Sequence, residues 1–126
     1  MTRLMQSREA IAEALEAGEI AVAIGGQLTA PCVLLEPGDP WASTEHLAGR
    51  GRRLGRWQLT AIAGRADTDA AYGELASLID RIDTALLAVP GLQLPEWAKP
   101  SDRMLGNLSY AATVATVQLL TQEAAP

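Results

Sequence analysis

Phenylalanine is missing from the 126 residues, and cysteine, histidine and lysine occur once each, as Cys32, His46 and Lys99. One cysteine excludes an intramolecular disulfide and any cysteine-rich zinc site built from this chain alone. His46 is the only imidazole base, and its nearest partners, Asp39, Ser43, Thr44 and Glu45, share its own segment. Triad members are normally held by separate rigid elements, and there is no nucleophile-elbow motif, so hydrolytic chemistry is not expected. Neither a P-loop nor a GxGxxG motif is present, and no nucleotide cofactor is implied. No uncharged apolar run is long enough to cross a bilayer, and no apolar stretch follows Arg3 and Arg8, so neither membrane insertion nor export is expected. The missing Phe, the abundant Ala and the dominance of Arg over Lys read as coding bias and carry no functional signal.

The composition is that of a folded protein, with 48% hydrophobic and 20% charged residues in a length that suits one domain, residues 1–126. A net charge of -5 has the wrong sign for a surface that grips phosphate backbone as a whole. Cytoplasm is the default compartment.

Ser7 can cap a short helix carrying Ile11, Ala14 and Leu15 on one face, with Gly18 offering a left-handed stop. Glu9 suits the first turn, and Glu13 and Glu16 read as a solvated face. Ile20, Val22 and Ile24 alternate with alanines toward Gly25-Gly26, the signature of a hairpin whose second strand spans about Leu28 to Leu35. Pro31 belongs at an edge, a bulge or a strand start. Cys32 reads as a small core residue, because a nucleophilic thiol would want a partly open, electropositive setting and a base. Glu36-Pro-Gly-Asp-Pro-Trp41 is dense in turn formers, and a long loop is expected over about 37–51. Trp41 at its base serves either as an anchor on its own domain or as an interface residue.

Arg52 to Ala63 follows as a strand whose buried face holds Trp57, Leu59, Ala61 and Ala63, with Leu54 out of phase and Gly55 marking a bulge that resets it. Asp67 or Thr68 caps a long helix to about Ala88, on which Ala71, Leu75, Leu78, Ile79, Ile82 and Leu86 form one stripe. Burying its five large aliphatics supplies on the order of 10 kcal/mol, and Pro90-Gly91 ends it. Leu92 to Pro100 is an extended connection around Trp97. A short strand over Asp102–Leu105 turns at Gly106-Asn107 into a final strand, Leu108 to Leu120, and Gln122 to Pro126 is a frayed tail. The fold class is α+β, a mainly antiparallel sheet of four to five strands with two helices packed on it, in the order α-β-β-β-α-β-β.

Asp80 and Asp83 lie three apart on the long helix, but two carboxylates without further ligands read as a solvated face, and no metal is expected. The charge anomaly is Gly49-Arg-Gly-Arg-Arg-Leu-Gly-Arg56, with Arg50, Arg52, Arg53 and Arg56 on an otherwise acidic chain. Such a segment meets carboxylates of a neighbouring protein chain, meets nucleic acid, or simply solvates a sheet edge.

In order, the motifs are a short first helix, Pro31-Cys-Val-Leu-Leu-Glu-Pro-Gly-Asp-Pro-Trp41, a Trp57-Gln-Leu-Thr strand, a Leu-x-x-Leu-Ile-Asp-x-Ile-Asp helix and a closing Leu108-Ser-Tyr-Ala-Ala-Thr-Val114 strand. Together they resemble the tail terminator proteins of long, non-contractile-tailed phages of actinobacteria, over nearly the whole chain. The resemblance implies a structural virion protein without catalytic residues or cofactors, assembled in the host cytoplasm into a cyclic homo-oligomer, usually a hexamer. That ring would end polymerisation of the tail tube protein at its head-proximal end, meet the head connector protein and let DNA pass without specific binding. The interface residues expected by location are Trp41, Arg50, Arg52, Arg53 and Arg56. Two alternatives remain at this point, another neck ring such as a head-completion or adaptor protein, and a nucleic-acid-binding module using the arginine segment.

If the long helix closes the core, Leu78→Asp buries an unpaired charge and the domain loses its cooperative thermal transition in circular dichroism.

Overall fold

The computed structural model describes residues 2–24, 29–44, 52–66 and 69–122, with the backbone alone for residues 44, 52, 53 and 120–122. Two helices, α1 (Arg3–Ala17) and α2 (Ala71–Leu86), lie on one face of a six-stranded sheet: β1 (Val22–Ala23), β2 (Cys32–Thr44), β3 (Arg52–Arg65), β4 (Leu92–Gln93), β5 (Ser101–Leu105) and β6 (Leu108–Gln122). The spatial order is β1-β2-β3-β6-β4, with β5 also on β6, and every pairing but β1 with β2 is antiparallel. The expected α+β class and element order hold. The two-residue β4 is added inside the extended connection.

Alternation along β3 decides the layers. Trp57, Leu59, Ala61 and Ala63 face the helices, and the first three pair across to β6 with Val117, Ala115 and Thr113, which fall on the same side. From α2, Ala71, Leu75, Leu78, Ile82 and Leu86 are buried on that layer, and Ile79 packs against it half-buried. From α1 come Ile11 and Leu15, both fully buried.

Several local expectations give way to packing. The first helix begins at Arg3, capped by Thr2, whose hydroxyl accepts from Met5 N–H at 3.3 Å; Ser7 is no cap but a buried residue inside the helix. Gly18 is not left-handed, with φ -85°, and Glu19 takes that conformation at φ 62°. The glycine is needed for approach instead, since a Cβ on Gly18 would stand 3.1 Å from the Ala85 methyl of α2. The Gly25-Gly26 hairpin is replaced by a parallel bridge of Val22 to Val33 and Ala23 to Leu34. Pro31 has no N–H to give a ladder, so pairing starts only beyond it, with Val33 N–H donating to Ala21 O at 2.9 Å. Gly25 and Gly26 themselves lie outside the described residues, as do Asp67, Thr68 and residues 123–126. The N-cap of α2 is Ala70, with no side-chain hydrogen bond.

Gly55 is no bulge either. The β3–β6 register runs unbroken from Arg52 opposite Gln122 to Ile62 opposite Ala112 and shifts only between Ile62 and Arg65. Leu54 is out of phase simply because it belongs to the face without helices. The Pro-rich connection is the continuation of an edge: Ala98 N–H donates to Val114 O at 2.9 Å and Thr113 Oγ1 donates to Ala98 O, so residues 92–105 follow β6 from end to end. Trp97 packs on the core there and donates Nε1–H to Asp83 Oδ1 at 3.0 Å, which gives that carboxylate a structural use.

Trp57, only 1% exposed, donates Nε1–H to Ser7 Oγ at 2.8 Å, and Ser7 Oγ in turn donates to Leu4 O at 2.6 Å. Removing the acceptor leaves a buried indole N–H unpaired, so Ser7→Ala lowers unfolding free energy by about 1–3 kcal/mol in denaturant titrations. Combined with Trp57→Phe, the serine change costs measurably less than it does alone.

Candidate subunit interface

The segment expected as a loop over 37–51 is strand as far as Thr44, and residues 45–51, with His46 and Arg50, lie outside the described residues. Pairing persists because the turn-forming motif is accommodated as an excursion within β2. Pro37 pairs with Trp57 and Ala42 with Gly55, so Gly38, Asp39, Pro40 and Trp41 together face a single residue of β3, Arg56. This bulge bends the strand and interrupts the ladder at two prolines that cannot donate to it. Gly38 is required by closeness: a Cβ there would lie 3.0 Å from the carbonyl carbon, carbonyl oxygen and Cβ of Arg56.

Trp41 leaves the bulge toward the helices. Its ring meets Trp57 edge to face, with centroids 5.6 Å apart and an interplanar angle of 84°, yet it stays 40% exposed. It is thus anchored on its own domain, the first of the two expected roles, with part of its ring left exposed. Arg56 follows the opposite course. It is the neighbour of Trp57 in the strand, so it projects from the other face, where Nη1 donates to Ser43 Oγ at 3.2 Å. Arg52 and Arg53 are strand residues in register with Gln122 and Thr121. Trp41 and Arg56, expected in a single patch, therefore lie on opposite sides of the sheet.

The face without helices is apolar at one end and polar along its middle. Cys32, Ile62 and Ala112 form a small buried cluster there, and Leu34 and Thr60 beside them are buried as well, the Thr60 hydroxyl without a hydrogen-bond partner. Burial raises the Cys32 thiol pKa, partly offset by a backbone hydrogen bond at Thr29 and by the charge of Arg103, which fits its reading as a core residue. Further along, the rows become Glu36, Gln58 and Thr116, then Arg56 and Gln118.

Two concavities flank this region. One, about 340 Å³, lies where α1 meets the outer edge of β2 beside Trp41. The other, about 860 Å³, lies between α2 and the far ends of β2 and β3; Arg81 on its rim donates to Glu19 O at 2.8 Å and so ties the end of α1 to α2. Among the described residues, no three His, Cys, Asp or Glu side chains gather where they could hold a metal ion, and no helix is long and apolar enough to cross a membrane. The groove at β2 has no local sequence signature, because its walls come from residues 5 to 57 and meet only through the helix-on-sheet packing. No protein-family model and no curated protein matches the chain.

Two glycine substitutions of opposite sign separate a glycine held by close approach, at the bulge, from one that is not. Gly38→Ala drives a methyl into the Arg56 backbone and lowers stability by roughly 1–3 kcal/mol. Gly73→Ala, in α2 with nothing within 4 Å of the new methyl, raises it by about 0.5–1 kcal/mol in the same thermal or urea assay.

Proposed function

We propose that the chain is the subunit of a tail-terminator ring, a structural virion component that caps the head-proximal end of a phage tail tube, stops its growth and presents a surface to the head connector. The observation that carries this reading is the ribbon made by β2, β3 and β6. Leu4 of α1 reaches over Gly55, and strand pairing continues outward from there to Arg52 and Gln122. Arg52, Arg53 and Arg56 are thereby held on a three-stranded scaffold at one end of a net acidic domain. A head-to-tail ring needs two different, complementary patches on every subunit, and this asymmetry of charge supplies them.

The sheet supports the same reading in two further ways. Its outermost strands, β1 and β5, are short, so each flank leaves polar backbone available to a neighbour. Its helix-free face carries Gln58, Thr116, Gln118 and Ser43 with Glu36 and Arg56 along its middle, and Arg103 beside its apolar end. DNA passing such a face finds few phosphate-neutralising groups to hold it. The resemblance favours a hexamer, with the tube protein, the connector and further copies of the chain as partners.

Replacing Arg50, Arg52, Arg53 and Arg56 together by Ser tests the reading. The expected result is a monomer that unfolds normally but no longer caps tail tubes in an in vitro length assay, with DNA retention at low salt unaffected. Normal capping with lost DNA retention would overturn it in favour of a nucleic-acid role for the segment.

A further inference from the structure

β1 pairs with β2 only opposite Val33 and Leu34, and among the described residues nothing pairs with the outer edge of β2 beyond it. Val33 N–H points to that edge, so by alternation Leu35 N–H and the carbonyls of Leu35 and Pro37 do too. The 340 Å³ groove opens there, between Met5 and Arg8 of α1, Ile24 beyond the end of β1, and Trp41. Two properties mark it as an unfilled contact. Arg8 Nε is buried without a hydrogen-bond partner, and Ile24 and Trp41 are 49% and 40% exposed on its rim. A buried guanidinium nitrogen gains most from a carboxylate, and the aromatic rim from a flexible apolar side chain. Glu36 borders the groove but belongs to the opposite face of the sheet, in the row of Gln58.

An extended segment with a carboxylate and an apolar side chain two residues apart presents both on one face. This chain has such a segment at the other flank of its sheet. In β5, Asp102 lies opposite Ala111 and Met104 opposite Ser109, so both project on the helix-bearing side; both are exposed, Met104 to 61%. When two copies are placed flank to flank with their helices on the same side and shifted along the strands, β5, which pairs with residues 108–112 of β6, comes level with residues 35–41 of β2. These two side chains then arrive where Arg8 and Trp41 wait.

We infer that β5 of one copy docks along the β2 edge of the next, with the Asp102 carboxylate on Arg8 and Met104 against Trp41. The inference rests on the ring reading and names the contact that closes the ring. The contact is heterologous, since the two surfaces are different, and it repeats from copy to copy as a cyclic assembly requires. Pro37 and Pro40 offer no N–H, so backbone pairing stops at the groove and cannot slide along β2; the two side-chain contacts then set the register.

Cysteine pairing between copies tests this. Arg8→Cys and Asp102→Cys proteins are mixed, oxidised and compared with each alone; the unaltered chain, with Cys32 buried, is the control. The expected product is a mixed disulfide dimer at least tenfold above either self-linked dimer. In parallel, Arg8→Asp and Asp102→Arg each weaken association or tube capping roughly tenfold, and the double exchange restores it. Thermal melts of the single variants confirm that each is folded. Rings or capped tubes that form without the mixed disulfide and tolerate both charge reversals would overturn this contact and leave the ring reading standing. Self-linked dimers alone would mean a two-fold contact and overturn it as well. An unaltered chain that neither associates nor caps tubes would overturn the ring reading together with the contact.

Discussion

The buried indole of Trp57 is the constraint on which the architecture turns. Its one polar atom must be paired, because an unpaired N–H at that depth costs more than a typical hydrogen bond contributes. Ser7 of α1, brought directly over β3, accepts that hydrogen bond, which ties the helix to this point of the sheet. Gly55 then makes room for Leu4, and Ile11 and Leu15 fall onto the same layer as Leu59 and Val117. On its other side the same ring meets Trp41, so the bulge of β2 is positioned by the contact that positions α1.

That coupling explains why a motif full of turn formers does not become a free loop. Gly38 lies against the backbone of Arg56, Trp41 rests on Trp57, and the strand resumes pairing at Ala42. Prolines within a strand usually mark an edge. Here they sit on the outer edge of β2, where they restrict what can add to the sheet, leaving one short notch below β1 in place of a long open template. An edge managed in this way suits specific addition of a single partner better than indefinite sheet growth.

The two faces divide the labour. The helix-bearing face carries the core and, at its margins, the apolar and charged groups with contact capacity to spare, among them Trp41, Ile24, Arg8, Asp102 and Met104. The opposite face is polar and nearly neutral along its middle. The groups with contact capacity thus lie at the flanks, and the broad sheet surface on the other side has no helix packed on it.

Periodicity in the chain determined the layers. The stripe of α2, the alternation of β3 and the split faces of β6 follow from spacing alone, because side-chain direction repeats every 3.6 or 2 residues whatever surrounds the element. Gly106-Asn107 likewise declares its turn, with Gly106 at φ 63°. Tertiary structure decided what depends on a partner distant in sequence. Ser7 reads as a cap until Trp57, fifty residues on, claims its hydroxyl, and Gly18 reads as a left-handed stop until Ala85 requires the space. Trp41 and Arg56 belong to one segment in the sequence, yet the pleat sends them to opposite faces. The groove beside Arg8 has no counterpart in local pattern, since it exists only where a helix, a truncated strand and a bulge meet.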